Sequence, residues 1–246
     1  MVTNCSVQPN IDVFERPMLR MGSVTFLAGL VIILVSTMFH ASREDSNNHP
    51  LVFAEYAASD PWIAAHIGQF VGVMFVFAGG FVALYRLHVR SKSGIASALA
   101  WLGLALTITA ASTFAILQAV DGIALKRAVD SWTSAPPEER AAAFRVAEGI
   151  RWTEIGINSI FRILQGTVAV IFGVAIAIGA MLSRWIGVLG IFAGAATIVA
   201  GVGVAYVGFS SSVGLVGTVS TVMSFSWLGI LGIFMWRKTM TKTNIR

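Results

Sequence analysis

The sequence contains very little cysteine and very little charge. Cys5 is the single cysteine among 246 residues, which excludes an intrachain disulfide and a zinc site built from several cysteines. Charged residues make up 12% of the chain, about half the share that soluble domains usually carry. An ordinary soluble globular domain is therefore excluded.

Motifs that identify common enzyme classes are also missing. No G-x-S-x-G, H-E-x-x-H or E-x-x-H pattern occurs, and the chain has only four histidines. The sequence thus offers no nucleophile elbow and no local pair of metal-binding histidines. An enzyme remains an alternative that would have to use His66 as a base with nearby carboxylates.

Long hydrophobic runs are what the sequence has in abundance. Hydrophobic residues make up 56% of it, and runs of about 20 such residues cross a bilayer as helices. We predict an all-α integral membrane protein with polar tails at 1–20 and 237–246. Its six transmembrane helices are expected at about 21–40, 61–85, 94–120, 160–182, 185–208 and 215–236.

The third and fourth helices are predicted to extend beyond the bilayer as a helical hairpin at about 121–159. The helical pattern of the third span continues to Trp132, and Pro136 and Pro137 then mark a turn. The fourth helix is expected to run from about 136 to 182, with Gly149 or Gly156 as points where it could break.

The distribution of charge predicts the orientation of the chain. The two tails, the second loop and the Ser183-Arg184 turn hold ten Lys and Arg but two acids, whereas the other connections and adjoining helix ends hold seven Lys and Arg and ten acids. The positive-inside rule then predicts that both termini are cytoplasmic in the plasma membrane, with the hairpin outside. The basic charge is explained by topology, so no nucleic-acid partner is predicted.

A polar stripe on the fourth helix is the main candidate for a functional surface. Five of its residues fall within an arc of about 80° at 100° per residue: Arg151, Glu154, Asn158, Arg162 and Gln165. The stripe either stands in water or lines a cavity between helices, and the sequence leaves both interpretations open. We expect Arg162 to point inward and to bind a carboxylate or amide of another helix, such as Asp121 or Gln118.

The predicted ligand-binding residues come from the second, third and fourth helices. They are His66, Gln69, Gln118, Asp121, Arg151, Glu154, Asn158 and Arg162. Pairs of Asp121 or Glu154 with Arg151 or Arg162 are expected, and such pairs are as often structural as functional. No cofactor is predicted. The alternatives are haem held by His40 and His66, or a metal ion at His66.

The membrane helices and the polar residues are compatible with three functions. The favoured one is a non-enzymatic protein that binds, or also transports, a small polar or amphipathic ligand such as a lipid in an outward-opening pocket. The first alternative is a structural subunit of a membrane complex or a homo-oligomer, which would use the glycine-rich fifth and sixth helices. Gly190 and Gly194 there are expected at a helix contact. The second alternative is the His66 enzyme.

Overall fold

The structure is a computed structural model that describes residues 15–41, 43–89, 91, 93–179 and 181–240. Residues 1–14 and 241–246, which belong to the predicted tails, lie outside the described residues. The described chain is helical and contains no strand. Its helices are α1 (Glu15–Met38), α2 (His49–Ala57), α3 (Trp62–Val89), α4 (Gly94–Ser134), α5 (Arg140–Gly179), α6 (Arg184–Val207) and α7 (Ser211–Met240).

All of these helices except α2 are long and apolar enough to cross a membrane. The predicted all-α class is therefore confirmed, and the described chain has six helices that are long and apolar enough to span a membrane. Large apolar side chains point outward from the bundle, as they would toward lipid: Val31, Trp101, Ile108, Phe192, Val199 and Val222 are each more than half exposed.

Two helices differ from regular α-helices in a way that the sequence did not indicate. In α3 the stretch Phe75–Phe81 is π-helical, and in α4 the stretch Ala119–Leu125 is π-helical. By contrast, α5 continues without interruption for 40 residues, so the predicted break at Gly149 or Gly156 is wrong. Added Cβ atoms at these two glycines would meet nothing within 4 Å, since both lie on an open face.

Aromatic side chains fill the centre of the bundle. Phe81 on α3 contacts Phe26 on α1, Phe172 on α5 and Trp227 on α7, with ring centroids 5.5, 5.3 and 6.1 Å apart. Trp227 is 1% exposed, and its indole nitrogen donates to the carbonyl of Ile186 at 2.9 Å. One large apolar core thus joins helices from both halves of the chain.

Glycines allow α5 and α6 to approach until their backbones touch. A Cβ at Gly166 or Gly194 would lie 2.5 Å from the carbonyl oxygen of the other glycine. A Cβ at Gly190 would lie 2.6 Å from the Trp227 ring of α7. Both predicted glycines therefore lie at helix contacts inside the chain. An interface with a partner protein on α6 and α7 stays a prediction, and it would need other residues.

A second, smaller core joins α2 to the far ends of α4 and α5. Phe53 of α2 lies against Trp132 and Phe144, with ring centroids 6.2 and 5.6 Å apart. Lys126 of α4 donates to the carbonyl of Ala57 at 2.8 Å. The far ends of α4 and α5 thus form a packed helical hairpin that α2 covers, and the placement of this hairpin outside the membrane stays a prediction.

Candidate functional site

A cavity of about 340 Å³ lies inside the bundle, beside the α2-covered end. Its polar lining residues are Thr37, His40, Ser46, Tyr56, Gln69, Gln118, Asp121, Arg151, Glu154, Asn158, Arg162, Gln165, Thr197, Ser220, Thr221 and Ser224. Its apolar lining residues include Val73, Phe77, Phe114, Phe161, Phe225 and Leu228. The cavity therefore has polar groups together with an aromatic and aliphatic floor, as ligand pockets commonly do.

The structure brings the predicted site residues together. Seven of the eight line this cavity: Gln69, Gln118, Asp121, Arg151, Glu154, Asn158 and Arg162. The remaining one, His66, is 1% exposed and lies behind Asp121, with its Nε2 3.1 Å from Asp121 Oδ2. The polar stripe of α5 thus lines a cavity along part of its length, and a ligand in that cavity stays a prediction.

Arg151 and Glu154 form a buried ion pair on α5. Arg151 Nη1 donates to Glu154 Oε2, and the two residues are 3% and 1% exposed. The guanidinium also lies over the rings of Phe209 and Tyr56, at 4.9 and 5.6 Å from their centroids. One of the predicted acid–arginine pairs is therefore present, and two aromatic rings contact its guanidinium.

Arg162 differs from Arg151 because no acidic partner binds it in the described part of the chain. Its Nε donates to Asn158 Oδ1 at 2.7 Å, one turn back on the same helix. Within the described residues neither a carboxylate nor an amide of another helix binds Arg162, so the prediction of such a partner is wrong. The reason is geometric, because Asp121 is turned toward His66 on α3. A cation without an acidic partner consequently lines the cavity.

The π-helical stretch of α4 positions Asp121. Its backbone carbonyl accepts a hydrogen bond from the indole of Trp62 at 3.2 Å, while its side chain meets His66. Gly122 allows this contact, because a Cβ there would lie 2.5 Å from the Cβ of His66. Such π-helical turns are rare and are found frequently at functional sites.

Burial shifts the pKa values of two groups outside the membrane-spanning helices. Burial, followed by the neighbouring charge of His66, lowers the pKa of His40, which favours the neutral imidazole. Burial raises the pKa of the Tyr56 phenol, which therefore stays protonated and can donate a hydrogen bond. Both side chains line the cavity.

Three polar atoms of cavity-lining residues are buried without a hydrogen-bond partner in the described protein. They are Gln118 Oε1, Asp121 Oδ1 and Arg151 Nε. Buried polar atoms without partners are uncommon and cost about 1–3 kcal/mol each. All three belong to residues that line the cavity, and such atoms call for an explanation such as a bound water or ion.

Sequence reasoning missed the contributions of α1, α6 and α7. Ser220, Thr221 and Ser224 of α7 line the cavity, and Thr197 of α6 lies 3.2 Å from Ser224 through their hydroxyl oxygens. Their spacing on α7 would have placed them on one helix face. Hydroxyls in apolar helices usually bond their own backbone, however, so this pattern carried little information.

Haem ligation by His40 and His66 does not fit the geometry. The two rings contact each other with centroids 5.0 Å apart, and a haem iron ligated by both would need a porphyrin between them.

Comparisons of this chain with protein-family models, with curated proteins and with solved structures find no match.

Proposed function

We propose that this chain is a multi-pass membrane protein that binds a small amphipathic anion in the cavity between its helices. The acidic group of the ligand binds Arg162, and its apolar part lies among Phe77, Phe114, Phe161 and Phe225. The observation that carries the proposal is the guanidinium of Arg162, which lines the cavity without a carboxylate partner in the described protein.

An anion is the ligand that best completes this site. Moving a charge from water into a poorly solvated interior costs several kcal/mol unless a counter-charge is supplied. Glu154 forms its ion pair with Arg151, and among the described residues it forms none with Arg162. A carboxylate or phosphate would instead accept hydrogen bonds from the fork of the Arg162 guanidinium.

The size and lining of the cavity restrict the ligand further. A volume of about 340 Å³ lies near the lower end of known ligand pockets. It accommodates an acidic headgroup with a short chain, whereas a complete two-chain lipid is too large. The aromatic floor favours an alkyl chain or ring over a purely polar metabolite.

Access for such a ligand is suggested by a second cavity. This cavity of about 310 Å³ is lined by residues of α6 and α7, including Val204, Val213 and Gly217. Arg162, Phe209 and Thr221 line both cavities. An amphipathic ligand would enter between α6 and α7 from the bilayer and meet Arg162 first.

The orientation follows from charge. The basic tails and the basic second loop support cytoplasmic termini in a plasma membrane. In that orientation the end of the cavity near Ser46 and Tyr56 is on the outer side.

The test is a binding assay with radiolabelled decanoate on the full chain purified in detergent. We expect saturable binding to the parent protein and a loss of about ten- to hundredfold in affinity in Arg162→Met, since a charged hydrogen bond contributes about 1.5–3 kcal/mol. Arg162→Lys, which keeps the charge, should restore part of the affinity. Arg127→Met, which removes an exposed arginine outside the cavity, is the matched control and should bind like the parent.

Decanol separates recognition of the anion from partition of the chain. It has the same alkyl length without the charge, and it should bind weakly and equally to the parent and to Arg162→Met. Decanoate affinity that is unchanged in Arg162→Met, or equal to that of decanol in the parent, would contradict the proposal.

A further inference from the structure

Three side chains from three helical segments converge beside the cavity. His40 follows the end of α1, His66 belongs to the first turns of α3, and Asp121 lies in the π-helical stretch of α4. Each offers a ligand atom, and these atoms all lie within 4.8 Å of one another. The three residues are far apart in the sequence, so only the fold brings them together.

The hydrogen bonds of His66 define its tautomer. Its Nδ1 lies 2.8 Å from the carbonyl oxygen of Trp62, and a carbonyl oxygen can only accept. Nδ1 therefore carries a hydrogen, and in the ring form without a second proton Nε2 presents a lone pair. That lone pair faces Asp121 Oδ2 at 3.1 Å, and the carboxylate oxygen is also an acceptor. Two acceptors at this distance repel each other unless a proton or a metal cation joins them.

The ligand types, and the distance between His66 and Asp121, are those of a metal site. Zinc binds imidazole nitrogen and carboxylate oxygen at about 2.0–2.2 Å, so two ligands at angles of about 90–109° lie about 2.8–3.6 Å apart. The separation between His66 Nε2 and Asp121 Oδ2, 3.1 Å, falls within that range. A proton would use only these two atoms, whereas His40 adds a third donor and Asp121 Oδ1 has no partner in the described protein.

We propose that His40, His66 and Asp121 bind a divalent transition metal of the zinc class. Two histidines and one carboxylate form a common three-ligand set for zinc and for non-haem iron, with further positions open. His40 and Asp121 also line the cavity, so the open coordination position takes water or an oxygen of a molecule in the cavity.

The surroundings orient the ligands in the manner of known metal sites. The Trp62 carbonyl fixes the ring of His66, and the Trp62 indole binds the backbone of Asp121. The Trp62 ring also lies against both histidines, with centroids 4.8 Å from His40 and 4.5 Å from His66. Such outer contacts typically change metal affinity by about 10–100-fold.

The test uses the metal alone. The full chain is purified in detergent, treated with a chelator and titrated with Co²⁺, whose visible absorption reports a four- or five-coordinate site. We expect one Co²⁺ per chain, displacement of the band by Zn²⁺, and at least about 100-fold weaker binding in His40→Gln and in Asp121→Asn. His40 is partly exposed, whereas His66 is 1% exposed, so the His40 variant tests the ligand role at lower risk to folding than a substitution of His66.

His88→Gln is the matched control. The Nδ1 of His88 lies 2.9 Å from the backbone carbonyl of Leu84, one turn back, as that of His66 does from Trp62. His88 belongs to no metal-binding cluster in the described residues. This variant should take up Co²⁺ like the parent. A parent protein that takes up no Co²⁺ or Zn²⁺, or an Asp121→Asn variant that retains full uptake, would overturn the proposal and leave a proton between His66 and Asp121. Decanoate binding to metal-free protein is measured separately, so failure of one proposal is distinguishable from failure of the other.

Discussion

At the scale of single residues, the cavity places charges in three different states. Arg151 is paired with Glu154, Asp121 meets His66, and Arg162 has an amide as its described partner. These states have different energetic consequences. A buried pair that loses one member leaves an uncompensated charge. A cation without an acidic partner is uncompensated from the start, so an anionic ligand would stabilise it.

The Arg151–Glu154 pair provides a stability prediction. Arg151→Met should destabilise the protein by about 3–5 kcal/mol, because Glu154 would remain buried and unpaired. The double variant Arg151→Met/Glu154→Met should recover most of that loss, since two apolar side chains remove both charges. Chemical unfolding in detergent, followed by circular dichroism, measures both changes.

The control for this pair is Arg145, which binds Glu148 at 2.8 Å with a side chain that is 78% exposed. Arg145→Met should cost less than about 1 kcal/mol, because exposed pairs contribute little. A double variant as unstable as the single one would mean that the buried pair is itself a net source of stability.

At the scale of helices, close approach decides where polar groups meet. Gly166 and Gly194 bring α5 and α6 into backbone contact, and Gly122 brings α4 against His66 of α3. The π-helical stretches lie at Phe75–Phe81 of α3 and Ala119–Leu125 of α4, and they change the rotation of the helix that follows each of them. The i→i+5 hydrogen bonding of a π-helical turn inserts about one extra residue into the helix and rotates the side chains that follow, so the position of Asp121 depends on this local irregularity.

The glycine contacts of α6 give the second stability prediction. Replacing Gly190 and Gly194 together by leucine should destabilise the bundle by more than about 3 kcal/mol, because both side chains would enter occupied space. Thermal unfolding and the yield of monodisperse protein are the measurements.

Gly149 and Gly156 are the matched pair, since nothing lies within 4 Å of an added Cβ there. Their double leucine variant should be as stable as the parent or up to about 2 kcal/mol more stable. Equal behaviour of the two double variants would contradict the close contact.

At the scale of the whole molecule, the cavity lies between helices from both ends of the chain. Residues of α1, α3, α4 and α5 supply most of its polar groups, and α7 closes it with hydroxyls. The packed end formed by α2, α4 and α5 lies next to the charged part of the cavity. If the hairpin is outside, the charged part of the cavity is near the outer surface.

Cysteine labelling tests this orientation. In a Cys5→Ser background, a cysteine at Ser134 should react with an impermeant thiol reagent in intact cells, because Ser134 is exposed at the hairpin. A cysteine at Lys242, in the basic tail beyond the described residues, should react only after the membrane is opened. The reverse labelling pattern would place the hairpin, and the charged end of the cavity, in the cytoplasm.

The sequence by itself determined the class of protein and the residues of one helix face. Hydrophobic runs predict membrane helices because the requirement for internal backbone hydrogen bonds is local to each run. The spacing of Arg151, Glu154 and Asn158 likewise predicts a common face, because helix geometry relates residues a few positions apart. These predictions need no knowledge of how the helices pack.

Only the tertiary structure decided which faces meet. It paired Asp121 with His66 instead of an arginine, and it brought His40 into the same cluster. Among the described residues it also left Arg162 without an acidic partner, beside a cavity that includes hydroxyls of α7. The physical reason is that the rotation and depth of each helix depend on glycine contacts and π-helical turns against neighbouring helices, which no single stretch of sequence contains.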